Sequence, residues 1–322
     1  MSSNIPSAQT LQDKVLLKPG KMSQAFPDVT VVTVCFNPLK SGREELFSKN
    51  LHSVQQQTGV SVEHLIIDGA STDGTVEFIM KYKNDNYDIR TLSKPDSGIY
   101  EAMNRGIALA RGKYVIFLNT DDYYHRQDGL ALSVKALEES GCAFSFAPIR
   151  PDGPFYRHRL HRHPERHLHR IFISSVIPHQ SMLYCRNVLM EVGGYNPSYR
   201  IGSDHDLTLR LIALGHRAVF VDKDFATFSF GGLSARAISL KYQEKKHIVR
   251  CFHKDVFGVE FTAREAEELV RHYRYPRRCL DIYVKSQKII DATFVGIPQT
   301  LWQRITHHFN YWKYYIKSMS SN

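Results

Sequence analysis

Acidic side chains follow three of the first four predicted strands of this chain. Asp68 ends the segment VEHLIID, Asp96 follows IRTLS, and Asp121 and Asp122 follow KYVIFL within the tetrapeptide NTDD. Because the carboxyl ends of parallel strands meet at one edge of an open sheet, we expect these carboxylates to lie near one another. Asp also caps helices and initiates turns, and that simpler explanation fits Asp73, which precedes a predicted helix.

A hard divalent cation would offset the repulsion within such a cluster of carboxylates. Mg²⁺ or Mn²⁺ is often held by one or two carboxylates together with substrate phosphates. The chain has neither a GxxxxGK[ST] loop nor GxGxxG after its first strand, which disfavours a P-loop enzyme and a dinucleotide-dependent dehydrogenase. We therefore expect a metal that neutralises charge on a departing nucleoside diphosphate.

The elements that position these residues alternate between β-rich and helical patterns. Apolar, β-branched runs predict strands at 29–36, 62–68, 89–93 and 113–118. Apolar residues at helical spacing predict helices at 44–57, 74–82 and 98–112. This alternation is typical of an α/β fold with a mostly parallel sheet flanked by helices. The less regular second half predicts strands at 142–149 and 179–185, a helix at 203–215, and helices from about Ser234 onward.

Positive charge is concentrated in the last quarter of the 322 residues. The formal net charge is +10, and residues 236–322 carry 16 Lys and Arg against 8 Asp and Glu. Such a surplus is typical of contact with nucleic acid, an anionic membrane or a phosphorylated substrate, and equally of a solvated helical surface. No apolar run approaches the ~20 residues that span a bilayer. The polar beginning and five scattered cysteines predict a cytoplasmic protein.

The stretch HRHPERHLHR, from His161 to Arg170, combines four histidines with three arginines. His163 and His167 stand at i,i+4 spacing, which would suit zinc on a helix. The interleaved arginines place fixed positive charge beside any such cation, so we disfavour a metal there. Two interpretations remain, a solvated basic loop and a contact with an anionic acceptor.

Several motifs occur in a fixed order between about Val29 and Gly232, namely VTVVTVCFN, IIDGASTDGT, SKPDSGIYEAMNRGIALARGKYVIFLNTDD and HQSMLY…VGGYNPSYRIGSDHDLTLRL. Together they resemble family 2 glycosyltransferases of the GT-A fold, and most of all bacterial members that build surface polysaccharides. The resemblance implies a Rossmann-like, mostly parallel sheet with a helical C-terminal extension. It divides the chain into a polar lead-in (1–28), a glycosyltransferase domain (29–233, with a nucleotide half 29–125 and an acceptor half 126–233) and a basic helical region (234–322).

The resemblance also implies positions along a bound nucleotide. Thr33, Phe36 and Asn37 would lie beside the nucleotide at the end of the first strand. Asp68 matches the carboxylate that contacts the base or ribose, and Asp96 lies in a segment that borders the nucleotide.

Asp121 and Asp122 match the acidic metal-binding motif of the family. Asn119 stands where many relatives have Asp, which leaves open which carboxylate bonds the metal directly. We favour Asp122 as that ligand, with Asp121 on the ribose or behind the ligand. His179 precedes a strand that should border the acceptor, where it would hydrogen-bond the donor diphosphate or the acceptor, or serve a purely structural role.

Asp204, in GSDHD, matches the carboxylate that acts as the catalytic base in the family. Inverting transfer requires one carboxylate to take the proton of the attacking hydroxyl. Asp204 begins a predicted helix, whose dipole favours its ionised form, although that place also suits a merely structural acid. With the resemblance we favour catalysis by Asp204 and a structural role for Asp206. The segment FGGLS (230–234) is expected to form a mobile loop over the donor.

These observations predict an inverting, metal-dependent glycosyltransferase. Its donor would be a nucleotide-diphosphate sugar, with UDP favoured. Its acceptor would be a saccharide hydroxyl, with a lipid-linked saccharide and peripheral contact with an anionic inner membrane suggested by the basic region. A sugar-phosphate nucleotidyltransferase is the first alternative, but FNPLKSGREE does not resemble the Gly- and Arg-rich loop of those enzymes. The second is a noncatalytic basic protein that binds nucleic acid, which no recognisable motif supports.

Overall fold

Buried, β-branched runs form the first four strands, β1 (Val29–Cys35), β2 (Val62–Asp68), β3 (Ile89–Ser93) and β4 (Tyr114–Phe117). The computed structural model of the chain describes residues 26–83, 87, 89–152, 162–229, 237–279 and 281–298. The four strands are parallel, in the spatial order β3-β2-β1-β4. Most of the predicted lead-in (1–28) and all of the predicted loop (230–234) lie outside the described residues.

Helices cover both faces of these strands, namely α1 (Glu44–Gln55), α2 (Thr75–Met80) and α3 (Ile99–Leu109). Side chains of a strand point alternately to the two faces. Phe47 of α1 belongs to the same buried cluster as Val31, and Ile107 of α3 belongs to the opposite cluster with Val32. A Cβ on Gly106 would lie 2.4 Å from Cγ1 of Val32, so this glycine allows α3 to approach the sheet.

Four further strands extend the sheet to the order β11-β9-β6-β8-β4-β1-β2-β3, and they are β6 (Phe144–Phe146), β8 (Leu183–Cys185), β9 (Ala218–Phe220) and β11 (Phe294–Val295). Strand β8 is antiparallel to both of its neighbours, and the other pairs in the sheet are parallel. The prediction of a mostly parallel sheet flanked by helices is therefore confirmed.

A second sheet of three strands lies beside the first and contains β5 (Tyr123–Tyr124), β10 (Ala226–Ser229) and β7 (Ile149–Asp152). The single strand predicted at 142–149 is wrong, because the chain divides it between β6 and β7. Pro148 separates the two and has no N–H to donate to a ladder. The strand predicted at 179–185 begins instead with a 3₁₀ turn at His179–Ser181.

The second half supplies six helices within the described residues, namely α4 (Gly129–Ser140), α5 (Arg186–Glu191), α6 (Ser203–Ala213), α7 (Ile238–Phe257), α8 (Ala263–His272) and α9 (Asp281–Thr293). Phe252 of α7 stacks on Phe172, with ring centroids 5.2 Å apart, and so joins the helical extension to the main core. Strand β11 adds an edge to the main sheet that the sequence pattern did not indicate.

All five cysteines are free thiols. In the part of the chain that the structure describes, no helix combines the length and the apolar character that crossing a bilayer requires.

Candidate active site

The order of the strands reverses between β1 and β4, and open α/β sheets form a crevice at the carboxyl ends of the strands at such a point. Strands β2 and β3 lie on one side of β1 and β4 lies on the other. Ligands of open α/β sheets bind at such a switch point. The loop after β4 carries Asp121, whose Oδ2 lies 2.9 Å from Nη1 of Arg43, in the loop between β1 and α1. This ion pair joins the two sides of the crevice.

An aromatic ring and a carboxylate lie beside the backbone of Gly69, the residue that follows β2. The side chain of Phe36 is 66% exposed, which is unusual for so large an apolar group. A Cβ on Gly69 would lie 2.8 Å from Oδ2 of Asp96 and 3.3 Å from Cδ2 of Phe36. Burial raises the pKa of Asp96, and the charge of Asp68 adds to the effect. A flat ring with hydrogen-bonding edges, such as a nucleobase, suits this arrangement.

Asp68 and Asn37 hold the loops that form this surface. Asp68 is fully buried and accepts hydrogen bonds from the N–H of Ser71 at 2.9 Å and from Oγ of Ser93 at 2.6 Å. The side-chain oxygen of Asn37 accepts a hydrogen bond from the N–H of Thr72 at 2.9 Å, and the backbone N–H of Asn37 donates to Oγ of Ser71. Asn37 has φ 48°, a conformation that Asn adopts more readily than most residues. The predicted contact of Asp68 with a base or ribose stays a prediction.

The structure does not bring Thr33 to this surface. Its side chain is fully buried, and Oγ1 lies 2.8 Å from Nε2 of His64 and 3.5 Å from Oδ1 of Asn50 in α1. Position 33 points to the face of the sheet that α1 covers, as its alternate neighbours Val31 and Cys35 do. The expected place of Thr33 along a nucleotide is therefore corrected to the core beneath α1.

The two carboxylates after β4 have different surroundings. Asp122 is 1% exposed, and its oxygens accept from the N–H of Ser229 at 3.0 Å and from Nε2 of Gln180 at 3.1 Å. Burial and the charge of Asp121 raise the pKa of Asp122 well above its usual range. The side chain of Asp121 keeps 12% of its surface exposed and pairs with Arg43. Asp121 is thus the member of the pair that a ligand could reach.

Asn50 fixes the backbone of this acidic loop, a role that the sequence reasoning missed. Its Nδ2 donates to the carbonyl oxygens of Asn119 at 2.9 Å and of Asp122 at 3.0 Å. Oδ1 of Asn119 is buried and has no hydrogen-bond partner among the residues described. A signal was present in the sequence, since Asn50 interrupts the apolar face of α1 between Phe47 and Val54. A polar residue at such a position requires a partner.

His179 lies between the acidic loop and the start of α6. Its Nε2 is 3.4 Å from Nδ2 of Asn119. Burial lowers the pKa of His179, although the charges of Asp204 and Asp121 oppose that effect. A neutral imidazole therefore adjoins both predicted catalytic regions, where it can accept or donate one hydrogen bond.

The two acids at the start of α6 are used differently. Asp206 pairs with Arg210 at 2.9 Å, and that guanidinium also donates to the carbonyl of Val192 at 2.7 Å. Asp204 is partly exposed, and within the described ranges its carboxylate has no hydrogen bond or ion pair. The hydroxyl of Tyr100 donates to the carbonyl of Ile201 just ahead of this helix. The predicted structural role of Asp206 fits its contacts, and Asp204 is left available.

The protein alone provides few metal ligands here. Among the described residues, no group of three or more His, Cys, Asp and Glu side chains is arranged to hold a metal ion. The oxygens of Asp121 have the hard character that Mg²⁺ and Mn²⁺ prefer, and such ions often take their remaining oxygens from substrate phosphates. The site therefore fits a divalent ion that arrives with a diphosphate.

The described part of the Arg/His-rich stretch is anchored at several points. Pro164 and Leu168 are buried, and so is Glu165, which lies 3.5 Å from Nδ1 of His163 and 3.4 Å from Nε of Arg166. Two 3₁₀ turns, Pro164–Arg166 and Leu168–Arg170, carry these contacts. A freely solvated loop does not describe this segment, because its apolar residues and its one carboxylate are buried.

Comparison with known proteins gives a consistent result. The model of the family described as glycosyl transferase family 2 matches residues 30–193. An uncharacterized glycosyltransferase of Mycobacterium tuberculosis is 30% identical over 187 residues, which cover 57% of this chain and 68% of that protein. A PGL/p-HBAD biosynthesis glycosyltransferase of Mycobacterium bovis is 28% identical over 203 residues, which cover 61% of this chain and 76% of that protein.

Solved structures share the fold at low sequence identity. The S. aureus TarS fragment 1–349, in complex with UDP-GlcNAc, has a TM-score of 0.58 at 16% identity and covers 85% of this chain and 82% of its own. The mannosyltransferase PcManGT of Pyrobaculum calidifontis, in complex with GDP-Man and Mn²⁺, has a TM-score of 0.57 at 16% identity, with 88% and 78% covered. Both similarities concern the fold alone.

Proposed function

Because the chain belongs to glycosyl transferase family 2, we propose that it moves a sugar from a nucleotide-diphosphate sugar to a saccharide hydroxyl with inversion at the anomeric carbon. The observation that carries this proposal is the pair of acids at one crevice. Asp121 lies in the loop after β4, Asp204 lies at the start of α6, and the charges of both act on His179. Asp121 would hold the metal that accompanies the departing diphosphate, and Asp204 would take the proton of the attacking hydroxyl.

The donor would lie with its base on the surface formed by Phe36, Gly69 and Asp96. An aromatic face contributes stacking, and the carboxyl of Asp96 offers hydrogen bonds to the edge of the base. A UDP-linked sugar is the donor that we infer, with GDP-linked sugars as the competing choice. The neighbouring folds support nucleotide-sugars in general, because TarS was solved with UDP-GlcNAc and PcManGT with GDP-Man.

For the metal we propose Asp121, rather than Asp122, as the direct protein ligand. Both oxygens of Asp122 already accept hydrogen bonds from buried groups, and Asp122 would then act by holding the loop in place. The partner of Asp121 is Arg43, whose side chain is 25% exposed and can move aside. A bound divalent cation would offset the negative charge that develops on the leaving diphosphate.

Asp204 would accept the proton of the attacking hydroxyl. The acceptor oxygen forms its bond to the anomeric carbon while the bond from that carbon to the phosphate oxygen breaks. The nucleoside diphosphate leaves, and the proton passes to Asp204. A partly exposed carboxylate at a helix N-terminus is well suited to this step, because the helix dipole stabilises its ionised form until the proton arrives.

The acceptor class follows from relatives and charge. Similar proteins are named for PGL/p-HBAD biosynthesis and, in Bacillus subtilis TuaG, for teichuronic acid biosynthesis. TuaG is 32% identical over 126 residues, which cover 39% of this chain and 48% of that protein. These names support a saccharide acceptor. From the basic C-terminal region we infer that this acceptor is linked to a lipid and that the chain meets an anionic membrane surface.

A donor screen tests the proposal. Binding of UDP-GlcNAc, UDP-glucose, UDP-galactose and GDP-mannose would be measured by calorimetry, with Mn²⁺ or with EDTA. We expect one donor to bind tightly, to require Mn²⁺, and to bind at least tenfold more weakly to Asp121→Asn. The matched control is Asp128→Asn, which alters an exposed acid paired with Arg126 and should bind like the parent. Failure of all four donors to bind would contradict the proposal, and equal binding by Asp121→Asn would contradict the metal assignment.

A further inference from the structure

Two cations lie over one aromatic ring, and a third stands one helical turn from one of them. The guanidinium carbon of Arg170 lies 4.7 Å from the ring centroid of Tyr273, and Nζ of Lys245 lies 5.4 Å from it. Lys241 stands one turn before Lys245 on α7, and its charge acts on that ammonium group. We call Arg170, Lys241, Lys245 and Tyr273 the Tyr273 cluster. It joins the Arg/His-rich stretch to helices α7 and α8.

Within the described ranges, no acid forms an ion pair with these three cations. Among the described residues, no carboxylate lies within the 4.0 Å of an ion pair from Arg170, Lys241 or Lys245, and the side chain of Arg170 donates only to Nε2 of His169. The sequence offers few others, because the stretches 153–161, 230–236 and 299–322 contain neither Asp nor Glu. The Tyr273 cluster therefore has a surplus of positive charge that the described chain leaves unpaired.

The other cations on α7 and α8 are either paired with glutamates or exposed. Lys246, Lys254 and Arg271 form ion pairs with glutamates. Arg250 and Arg264 form no ion pair with a described residue, but both are exposed to solvent. Lys245 differs from these residues because it is partly buried without a carboxylate.

A partly buried, uncompensated ammonium group carries a cost in free energy. Burial and the charge of Lys241 lower the pKa of Lys245 to about 8, which is the expected result of that cost. Buried charges in proteins are normally paired with an opposite charge. A set of cations held together without one is therefore a candidate site for an anion, and Tyr273 contributes only a neutral ring and hydroxyl to it.

We propose that the Tyr273 cluster binds a phosphate group. Arg170 supplies planar, paired donors, the two lysines supply point charges, and Tyr273 offers a hydroxyl. The cluster lies close enough to the start of α6 that the charge of Lys245 acts on His205, which follows Asp204. The further step, that this phosphate belongs to the acceptor and anchors it beside Asp204, rests on the proposed function.

Pyrophosphate binding to the full chain in EDTA tests the site itself. EDTA removes the divalent ion on which diphosphate binding at Asp121 depends, so a failure of the donor site does not affect this measurement. We expect Lys245→Met and Arg170→Met to weaken binding about tenfold or more, because each removes a charge-assisted contact. The control Arg250→Met removes the same charge from an exposed position on α7 and should stay within about twofold of the parent. Equal losses in all three variants would show unspecific attraction and overturn the proposal.

Thermal melting provides a second test, because Lys245→Met should raise the melting temperature of the free protein although it weakens the binding of pyrophosphate. Without phosphate, Lys245→Met should melt at a higher temperature than the parent, because it removes an unpaired, partly buried charge. With pyrophosphate, the parent should gain melting temperature and Lys245→Met should gain none. A variant that melts lower than the parent and still gains stability from pyrophosphate would overturn the proposal.

Vesicles then distinguish the two sources of phosphate. Phosphatidylcholine vesicles that carry a polyprenyl diphosphate present an acceptor-like diphosphate, and phosphatidylglycerol vesicles present only an anionic headgroup. If the protein's retention depends on Lys245 only on the vesicles with polyprenyl diphosphate, the site is an acceptor anchor. If retention depends equally on Lys245 on both kinds of vesicle, the site binds a lipid headgroup. Retention by either surface that is the same for the parent and for Lys245→Met would count against the Tyr273 cluster.

Discussion

Two groups of charged residues lie toward opposite ends of the parallel strands, and they differ in how their charges are balanced. Glu63, near the start of β2, is fully buried and ion-pairs with Arg90 and with Nε of Arg111 at 2.7 Å. It also accepts from Oγ1 of Thr30 at 2.6 Å. Burial would raise the pKa of Glu63, but the charge of Arg90 and these hydrogen bonds outweigh it, and the pKa is lowered.

At the other end of the sheet, the acids outnumber their cations. Asp121 and Asp122 are adjacent, and among the described residues Arg43 is the one cation that ion-pairs with either of them. Burial and the charge of Asp121 raise the pKa of Asp122, the opposite of the shift at Glu63. Two arginines for one carboxylate indicate a structural group, whereas two carboxylates for one arginine leave room for an added cation. The candidate site therefore differs from the structural scaffold in that its buried charges are not balanced by opposite charges.

The largest effect should come from Asp204→Asn, which removes the proposed base at the crevice. Release of nucleoside diphosphate from the donor identified in the screen should slow by about 10²–10⁴-fold, the usual contribution of a positioned general base. Donor binding should not change, since Asp204 acts on the acceptor. Asp206→Asn is the matched control on the same turn, because it breaks the pair with Arg210 and should lower stability rather than turnover. Equal loss of turnover in both variants would contradict the assignment.

At the balanced end of the sheet, Glu63→Gln should affect stability alone. It leaves Arg90 and Arg111 near a neutral amide, and breaking a buried ion pair from one side costs about 3–5 kcal/mol. We expect urea unfolding to show a loss in that range, with turnover per folded molecule unchanged. A variant as stable as the parent, or one that is fully folded and inactive, would erase the distinction between the two ends.

Acid titration should sharpen that distinction. The pKa of Glu63 in the folded chain lies below its ordinary value of 4.5, so the unfolded chain binds more protons in the interval between the two values. The stabilisation from Glu63 is therefore complete above pH 4.5 and is lost as the pH falls through the folded pKa. The unfolding free energy of the parent should fall more steeply than that of Glu63→Gln when urea titrations at pH 7, 5 and 4 are compared. Parallel slopes would contradict this.

Local patterns in the sequence were enough to predict the first half of the fold. Strands β2 and β3 occupy the predicted ranges 62–68 and 89–93, because buried Leu and Ile side chains within such short segments are typical of strands. Boundaries in the second half depend on pairing between distant segments. β7 pairs with β10, some 77 residues later, and nothing near Ile149 in the chain indicates that partner.

The sequence suggested the acids of the candidate site but not the groups that hold them. Asp121 was proposed because it follows a strand, and Asp204 because it matches the carboxylate that acts as base in the family; both roles stay predictions. Thr33 was misplaced because a strand buried on both faces has no polar alternation to reveal which side a residue takes. The contact of Arg43 with Asp121 joins residues 78 positions apart, so it required the structure.

Asn50→Ala tests such a support, and its effect on stability should be smaller than that of Glu63→Gln. The variant leaves the carbonyl oxygens of Asn119 and Asp122 without their shared donor, at a cost of about 2 kcal/mol. Because those oxygens belong to the acidic loop, Mn²⁺-dependent donor affinity should also fall, by about tenfold. Ser133→Ala is the control, since it removes a buried hydrogen bond in α4 and should lower stability without changing donor affinity. If donor affinity is unchanged in Asn50→Ala, the acidic loop does not need this amide, and Asn50 belongs with Glu63 to the scaffold.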